Sequence, residues 1–151
     1  MATTLNLFDN WRKIVADPTR AAAISGTLKM ALFASFSPNQ NTYDYYDDCT
    51  PGTNEVTGSN YTARGNALAT PTWTGPSGAG LLTFDATDPT TWSQHASGFS
   101  NARRAIIYYD TGVNSTSTLV GYTDDFGADV GNVAGDLAIT LNASGIYTSP
   151  R

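Results

Sequence analysis

The chain is poor in the residues that carry most enzyme and metal chemistry. Its 151 residues include one glutamate, one histidine (His95) and one cysteine (Cys49). A single cysteine excludes an intramolecular disulfide and a cysteine-based metal site. A single histidine, with no serine in a Gly-x-Ser-x-Gly turn, gives a hydrolase triad little support, and we interpret His95 as a loop or packing residue. We therefore predict a non-enzymatic protein without a cofactor.

Positive charge and long apolar runs are also scarce. Eight Lys and Arg residues are scattered along the chain against 13 acids, which gives a net charge of −5. Because no basic face is available to neutralise phosphates, we expect no direct contact with nucleic acid. No apolar run approaches the ~20 residues needed to cross a bilayer, and the N-terminus lacks the basic-then-apolar order of a signal peptide. These patterns predict a protein made in the cytoplasm, without membrane contact.

Threonine and other strand-forming residues dominate what is present. Thr occurs 22 times and Lys only twice, so β-branched residues are common and residues that favour helix surfaces are rare. Short alternating runs predict a mainly β protein, an antiparallel β-sandwich or a jelly-roll-like barrel, in a single domain of residues 1–151. The predicted strands are 27–36, 63–68, 70–74, 80–85, 103–109, 119–125 and 134–142, with Leu32, Ile106 or Ile107, Leu119 or Val120, and Ile139 in the core.

Two segments interrupt the strand pattern. Apolar residues at helical spacing predict a short amphipathic N-terminal helix over residues 6–16, capped by Asn6 or Thr4 and ended by Asp17 before a proline. Residues 37–60 are rich in Asn, Pro, Tyr and Asp instead, and predict a long loop that contains one helical turn. Long ordered loops on β scaffolds often carry contacts.

Asp110-Thr111-Gly112 is the sharpest catalytic candidate. Asp-Thr-Gly after an apolar strand matches the aspartic proteases, in which two such carboxylates share one proton. The chain has one copy, so a protease would need a homodimer, whereas Asp and Gly are standard turn residues. We predict a turn at a strand end, and keep the dimeric protease as an alternative that an acid-dependent peptidase activity would support.

Acidic clusters and aromatic rings are the remaining candidates. The acidic clusters offer oxygen ligands for Ca²⁺ but lack the Asp-x-Asp-x-Asp-Gly spacing, so we predict solvated loop charge and no metal site. These clusters are Asp44/Asp47/Asp48 and Asp124/Asp125/Asp129. Flat rings stack on sugars, so a carbohydrate-binding platform is an alternative to burial in a core or an interface. The rings concerned are Tyr43, Tyr45, Tyr46, Trp73 and Trp92.

An ordered series of motifs extends over most of the chain. A strand ending in Tyr-Asp at 109–110 precedes a strand ending in Asp-Phe-Gly at 125–127, and an Asp-rich stretch precedes Trp92. This series resembles a widespread family of small virion proteins of tailed bacteriophages. A Gly-Tyr-Thr-Ala-Gly-Gly-like turn is common in that family, and here Asn60 and Arg64 replace two of its glycines.

The resemblance implies a structural component of the virion, a head decoration or cement protein that binds the major capsid protein and stabilises the head. A tail or neck structural protein is the alternative. A cement protein holds its surface through many modest contacts repeated by symmetry, so we expect a homo-oligomer, with a trimer favoured. We predict that the helix and the long loop form its contact surface, because they carry more aromatic residues than a small core needs to bury. The predicted contact residues are Phe8, Trp11, Arg12, Tyr43, Tyr45 and Tyr46.

Overall fold

Two antiparallel sheets carry most of the regular structure in the computed structural model, which describes residues 5–17, 19–20, 24–74 and 82–149. The predicted mainly β, antiparallel class is confirmed. The strands are β1 (Leu5–Leu7), β2 (Thr27–Phe33), β3 (Asn66–Ala67), β4 (Thr72–Thr74), β5 (Leu82–Asp85), β6 (Arg104–Asp110), β7 (Thr118–Thr123) and β8 (Tyr147–Ser149). The helices are α1 (Asp9–Ala16) and α2 (Pro51–Asn54), with 3-10 turns at Tyr46–Cys49 and Asn114–Thr116.

The larger sheet has the strand order β1-β7-β6-β2-β3, and the smaller has the order β4-β5-β8. β2 and β6 pair along their whole length, from Thr27 opposite Asp110 to Phe33 opposite Arg104. β6 and β7 also pair, with a shift in register after Ile107. The strands that the sequence predicted most clearly therefore form the middle of the larger sheet.

Both faces of the larger sheet are buried. Along β6, Ala105 and Ile107 belong to one core, whereas Ile106 and Tyr108 belong to the other. This is the alternation that the sequence predicted. We call the cluster with Ile107 the first core, which Phe84 of β5 also joins, and the cluster with Tyr108 the second core. Every predicted core residue is at most 2% exposed: Leu32, Ile106, Ile107, Leu119, Val120 and Ile139.

The N-terminal segment differs from its prediction. Residues 5–7 form edge strand β1, and Asn6 lies opposite Tyr122 of β7. The helix therefore begins only at Asp9, with Phe8 at the N-cap and no capping side chain among the described residues, so the Asn6 cap was wrong. Thr4 lies outside the described residues. Asp17 ends the helix as predicted. None of the helices in the described part of the chain is long and apolar enough to cross a membrane.

The last predicted strand, residues 134–142, is largely irregular. Leu137 forms an isolated bridge with Trp92, and the alternating Leu137, Ile139 and Leu141 are still buried in the first core. Alternation thus predicted which side chains face inward but not a hydrogen-bonded ladder. Strand β2 is also shorter than its predicted range of 27–36. It ends at Phe33, because the N–H of the next residue, Ala34, donates to the carbonyl of Asn54 in the long loop.

Candidate functional site

Three of the six predicted contact residues lie inside the protein. Phe8, Trp11 and Tyr46 are 0, 1 and 0% exposed. Phe8 packs against Tyr122 with ring centroids 5.0 Å apart, and Tyr46 stacks on Tyr108 at 4.0 Å. The premise that a small core need not absorb these rings was therefore wrong, since a sheet buried on both faces needs aromatic cover on each.

The other three predicted contact residues remain accessible to differing degrees. Arg12 is exposed and lies 3.6 Å from the carboxylate of Asp9. Tyr43 is half-buried against the second core. Tyr45 is 42% exposed, which makes it one of the largest apolar surfaces that the described residues present to solvent. Their role as contacts stays a prediction.

The predicted helix and the predicted loop do meet. The Asp9 N–H donates to the Gln40 carbonyl at 3.0 Å, and the Gln40 side chain donates to the Leu7 carbonyl at 2.7 Å. A groove of about 670 Å³ lies where α1, the loop and the turn after β6 come together. We call it the α1 groove; its lining includes Asn10, Ile14, Asp44, Tyr45, Thr111 and Thr116. The two segments therefore share a surface, but through residues other than the buried aromatics.

Asp110, at the end of β6, is the centre of a charged network. Its Oδ2 lies 2.8 Å from Lys29 Nζ, and its Oδ1 accepts from Arg64 Nε at 2.9 Å. The Asp110 side chain is only 7% exposed. Burial acts to raise the pKa of Asp110, but the hydrogen bonds from Arg64 and Lys29 outweigh it and hold the pKa well below its usual range. The network joins β2, β6 and the loop before β3.

The Asp-Thr-Gly motif is the predicted turn. The Gly112 N–H donates to Asp110 Oδ1 at 2.8 Å, and Gly112 has a φ of +88°, which a glycine adopts without strain. A protease dyad needs a carboxyl group that retains a proton, whereas the cations around Asp110 keep it ionised. The surroundings of Asp110 are those of a structural carboxylate.

Arg64 reaches Asp110 from an unusual backbone conformation. Its φ is +74°, and Gly65 follows with a φ of +71°. A Cβ at Gly65 would overlap the carbonyl oxygen of Met30 in β2, so only glycine lets this loop lie against the strand. The Arg64 guanidinium also donates a hydrogen bond to Asn114 Oδ1 and lies 5.3 Å from the ring centroid of Tyr46. Because the loop lies this close to β2, the Arg64 side chain reaches Asp110 at the end of β6.

A pocket of about 400 Å³ adjoins this network, and we call it the Glu55 pocket. Glu55 Oε1 accepts from the Tyr61 hydroxyl at 2.8 Å and from the Arg64 N–H at 2.5 Å. Tyr46 also lines the pocket, and its hydroxyl is buried from solvent. Burial raises the pKa of Tyr46, with further increases from Tyr108 and Glu55, so this phenol stays protonated.

The acidic clusters are used within the fold. Among the described residues, no three His, Cys, Asp or Glu side chains are grouped so that they could hold a metal ion. Asp48 Oδ2 accepts the N–H groups of Asp44 and Tyr45, at 2.8 and 2.9 Å. Asp125 pairs with Arg103 at 2.7 Å. Loop ordering, with partial solvation, accounts for both clusters.

The five aromatic rings considered as a carbohydrate-binding platform do not lie together on one exposed surface. Trp92 is 1% exposed and stacks on Tyr61, and Tyr46 is buried in the second core. Trp73 is 43% exposed, but its ring lies against Trp11.

His95 is an exposed loop residue whose Nδ1 accepts the Ser97 N–H, at 3.0 Å. Cys49 is a buried free thiol.

Sequence reasoning missed the charged partners Lys29, Glu55 and Arg64. One signal was present, because Lys29 interrupts an otherwise apolar strand and a lysine there needs an anionic partner. Nothing in the spacing showed that this partner would be Asp110, which is 81 residues away.

Comparison with known proteins adds no assignment to these sites. No family model, no curated protein and no solved structure matches the chain.

Proposed function

We propose that the protein is a non-enzymatic structural component of a tailed-phage virion, a head decoration or cement protein that binds the major capsid protein and stabilises the head. In this proposal it acts as a homo-oligomer, with a trimer favoured, and a tail or neck position is the alternative. The resemblance in the sequence supports the phage assignment. The single structural observation that carries the binding role is the exposed Tyr45 ring at the rim of the α1 groove.

Tyr45 has the properties of a prepared anchor. Its N–H is fixed by Asp48 Oδ2, and its backbone forms an isolated bridge with Thr118 at the start of β7. An aromatic ring on a fixed backbone loses little conformational entropy when a partner covers it. The groove beside it supplies both apolar and hydroxyl-bearing side chains, such as Ile14 and Thr116. This combination suits attachment to a protein surface.

Fractionated particles test the location. Virions of the phage that encodes this chain would be separated into heads and tails, and the protein in each fraction quantified by mass spectrometry. We expect it in the head fraction, in a copy number that follows that of the major capsid protein. Its presence in the tail fraction alone would support the tail alternative, and its absence from both would overturn the proposal.

Single substitutions test the surface. Tyr45→Ala should weaken binding to heads that lack the protein by about tenfold or more, because it removes a large ring from a prepared site. The midpoint of urea unfolding should stay nearly unchanged, since this ring is largely exposed. Val133→Ala is the matched control, because Val133 is also an exposed apolar residue, at 37%, and lies outside the α1 groove lining. Equal head binding by both variants would place the contact elsewhere.

A further inference from the structure

The turn after β6 forms part of the wall of the α1 groove. We call residues 111–117, which join β6 to β7, the β6–β7 turn. Its residues Thr111 and Thr116 line the groove, and residues 44–46, which we call the Tyr45 segment, add Tyr45 to the same lining. The shape of the groove therefore depends on how this turn and this segment are held together.

Backbone hydrogen bonds hold the Tyr45 segment against the β6–β7 turn and the start of β7. The Tyr46 N–H donates to the Ser117 carbonyl at 2.9 Å, and the Leu119 N–H donates to the Asp44 carbonyl at 3.1 Å. We call the N–H groups of Tyr46 and Leu119 the junction amides. The exposed Tyr45 ring lies between them in the sequence, so its position depends on the position of the turn.

The hydroxyl of Ser117 supports the β6–β7 turn from inside. Ser117 is 0% exposed, and its Oγ accepts the Thr111 N–H at 3.1 Å and donates to the Val113 carbonyl at 2.7 Å. Arg64 Nη2 donates to the same oxygen at 3.0 Å. One buried oxygen therefore joins both ends of the turn to Arg64.

The Arg64 guanidinium spans the whole turn. It donates to Asp110 just before the turn, to Asn114 near its middle and to Ser117 at its end. A guanidinium presents its donors in a rigid planar fork, which an ammonium group lacks. Arg64 itself lines the Glu55 pocket and is not among the lining residues of the α1 groove. It therefore holds the turn without entering the groove.

We propose that Arg64 is a positioning residue for the Tyr45 surface, because it fixes the β6–β7 turn on which the Tyr45 segment and the shape of the α1 groove depend. A surface that is ordered before binding loses less conformational entropy when its partner covers it, so it binds more tightly. This inference rests on the proposed attachment through the α1 groove. Its structural part, the ordering of the Tyr45 segment by Arg64, is measurable in the isolated protein.

Hydrogen–deuterium exchange followed by NMR tests the ordering. Arg64→Lys keeps a positive charge beside Asp110 but removes the guanidinium fork that reaches the turn. The junction amides should therefore exchange at least about tenfold faster in this variant, through local opening. The Trp92 amide, which bonds the Leu137 carbonyl at 3.0 Å, is the internal reference and should accelerate much less.

Two results of this experiment would overturn the proposal. Equal acceleration of the junction amides and the Trp92 amide would show a general loss of stability. Unchanged junction amides would show that Arg64 does not order the Tyr45 segment. Ser117→Ala removes the internal support of the turn, so it should reproduce the pattern expected for Arg64→Lys.

Lys29→Gln is the matched control. Lys29 also pairs with Asp110, at 2.8 Å, but it makes no hydrogen bond to any residue of the β6–β7 turn, all of which the structure describes. This variant should lower stability without accelerating the junction amides more than the Trp92 amide. The same exchange pattern as in Arg64→Lys would trace the effect to the charge around Asp110 and would overturn the assignment to Arg64.

Binding to heads that lack the protein tests the functional part. Arg64→Lys should weaken head binding by about three- to tenfold, because the partner must then order the surface, and Lys29→Gln should bind normally. Unchanged binding of Arg64→Lys, with weakened binding of Tyr45→Ala, would overturn the positioning role and leave attachment through Tyr45 standing. Absence of head binding by the unaltered protein would overturn the proposed function instead, and the exchange rates would then decide alone whether Arg64 orders the segment.

Discussion

Asp110 connects segments that are far apart in the sequence. Lys29 comes from β2, Arg64 from the loop before β3, and Asp110 itself from the end of β6. Side chains of these three residues are only 7 to 24% exposed, so water screens the charges less than on an open surface. Removing the anion would leave two partly buried cations facing each other.

Asp110→Asn should therefore destabilise the protein, by about 1–3 kcal/mol in urea unfolding at pH 7. The sequence, which indicated only a turn at Asp110, would have predicted little effect. Asp129→Asn is the matched control, because Asp129 lies 3.6 Å from Arg103 and is 63% exposed; it should change stability by at most about 0.5 kcal/mol. Equal effects of the two substitutions would show that the network contributes little.

The same variant should change the response to acid. The pKa of Asp110 in the folded protein is lowered from its value of about 3.9 in an unfolded chain. Its stabilising contribution is therefore complete above about pH 5 and is lost as pH falls below about 4. The stability difference between the native protein and Asp110→Asn should shrink from pH 7 to about pH 2.5. A difference that stays constant with pH would contradict this assignment.

Gly65 should tolerate no side chain. Gly65→Ala adds a Cβ in a backbone conformation with positive φ and drives it into the Met30 carbonyl. We expect a cost of about 4 kcal/mol or more, or failure to fold, measured as soluble yield and urea midpoint. Gly52→Ala is the control, because a Cβ at Gly52 meets nothing within 4 Å and lies in helix α2. Similar stability of the two variants would mean that the loop shifts at little cost.

At the scale of elements, helix α1 is part of the core and is not only a surface attachment. Trp11 and Ile14 are buried in the first core, and β1 just before the helix pairs with β7. Deleting residues 1–16 would therefore remove an edge strand along with part of the core. We therefore expect that the remaining β structure does not fold alone after this deletion.

Substitutions in α1 measure its contribution. Trp11→Ala should cost about 3–5 kcal/mol, because it empties a large buried volume. Trp11→Phe should cost much less, because it keeps most of the apolar contact and removes an indole N–H that lacks a partner among the described residues. Lys13→Ala, on the exposed face, should change stability by about 0.5 kcal/mol or less. A small effect of Trp11→Ala in urea unfolding would show that the helix packs loosely.

Elements were predictable where side-chain alternation and backbone pairing coincide. In β6, the alternation of Ala105, Ile106 and Ile107 predicted the strand, and the structure divides these side chains between the two cores. Residues 134–142 show the same alternation but little pairing, because Leu137 meets only an isolated backbone partner. Alternation of apolar residues therefore indicates which side chains are buried. It indicates a strand only where a neighbouring strand is available to pair with it.

At the scale of the whole molecule, the sequence predicted the β class but not the number of cores. The aromatics Phe8 and Tyr46 were predicted to lie at the surface because a small core was not expected to need them, but both are buried in the second core. The charged network was not predictable either, since Asp110 and Arg64 meet only through the fold. The groove beside Tyr45 was partly predictable, because the helix and the long loop were expected to form one surface.

Trp11 of α1 links the two sheets, which also share the first core. The Trp11 ring lies 6.3 Å from Trp73 of β4, 5.9 Å from Phe84 of β5 and 5.7 Å from Tyr109 of β6. Trp11 therefore contacts both the smaller and the larger sheet. Neither sheet can unfold without exposing this shared aromatic cluster, so the two should unfold together.

We therefore predict one cooperative urea transition for the whole chain, with coincident curves from tryptophan fluorescence and far-ultraviolet circular dichroism. Trp11→Ala removes the shared contact, so in this variant the fluorescence of Trp73 on the smaller sheet should change at a lower urea concentration than the circular dichroism signal. Trp11→Phe keeps an aromatic ring at the junction and should restore coincidence. Separate transitions in the unaltered protein would instead mean that the smaller sheet is an independent unit and that Trp11 does not couple the two sheets.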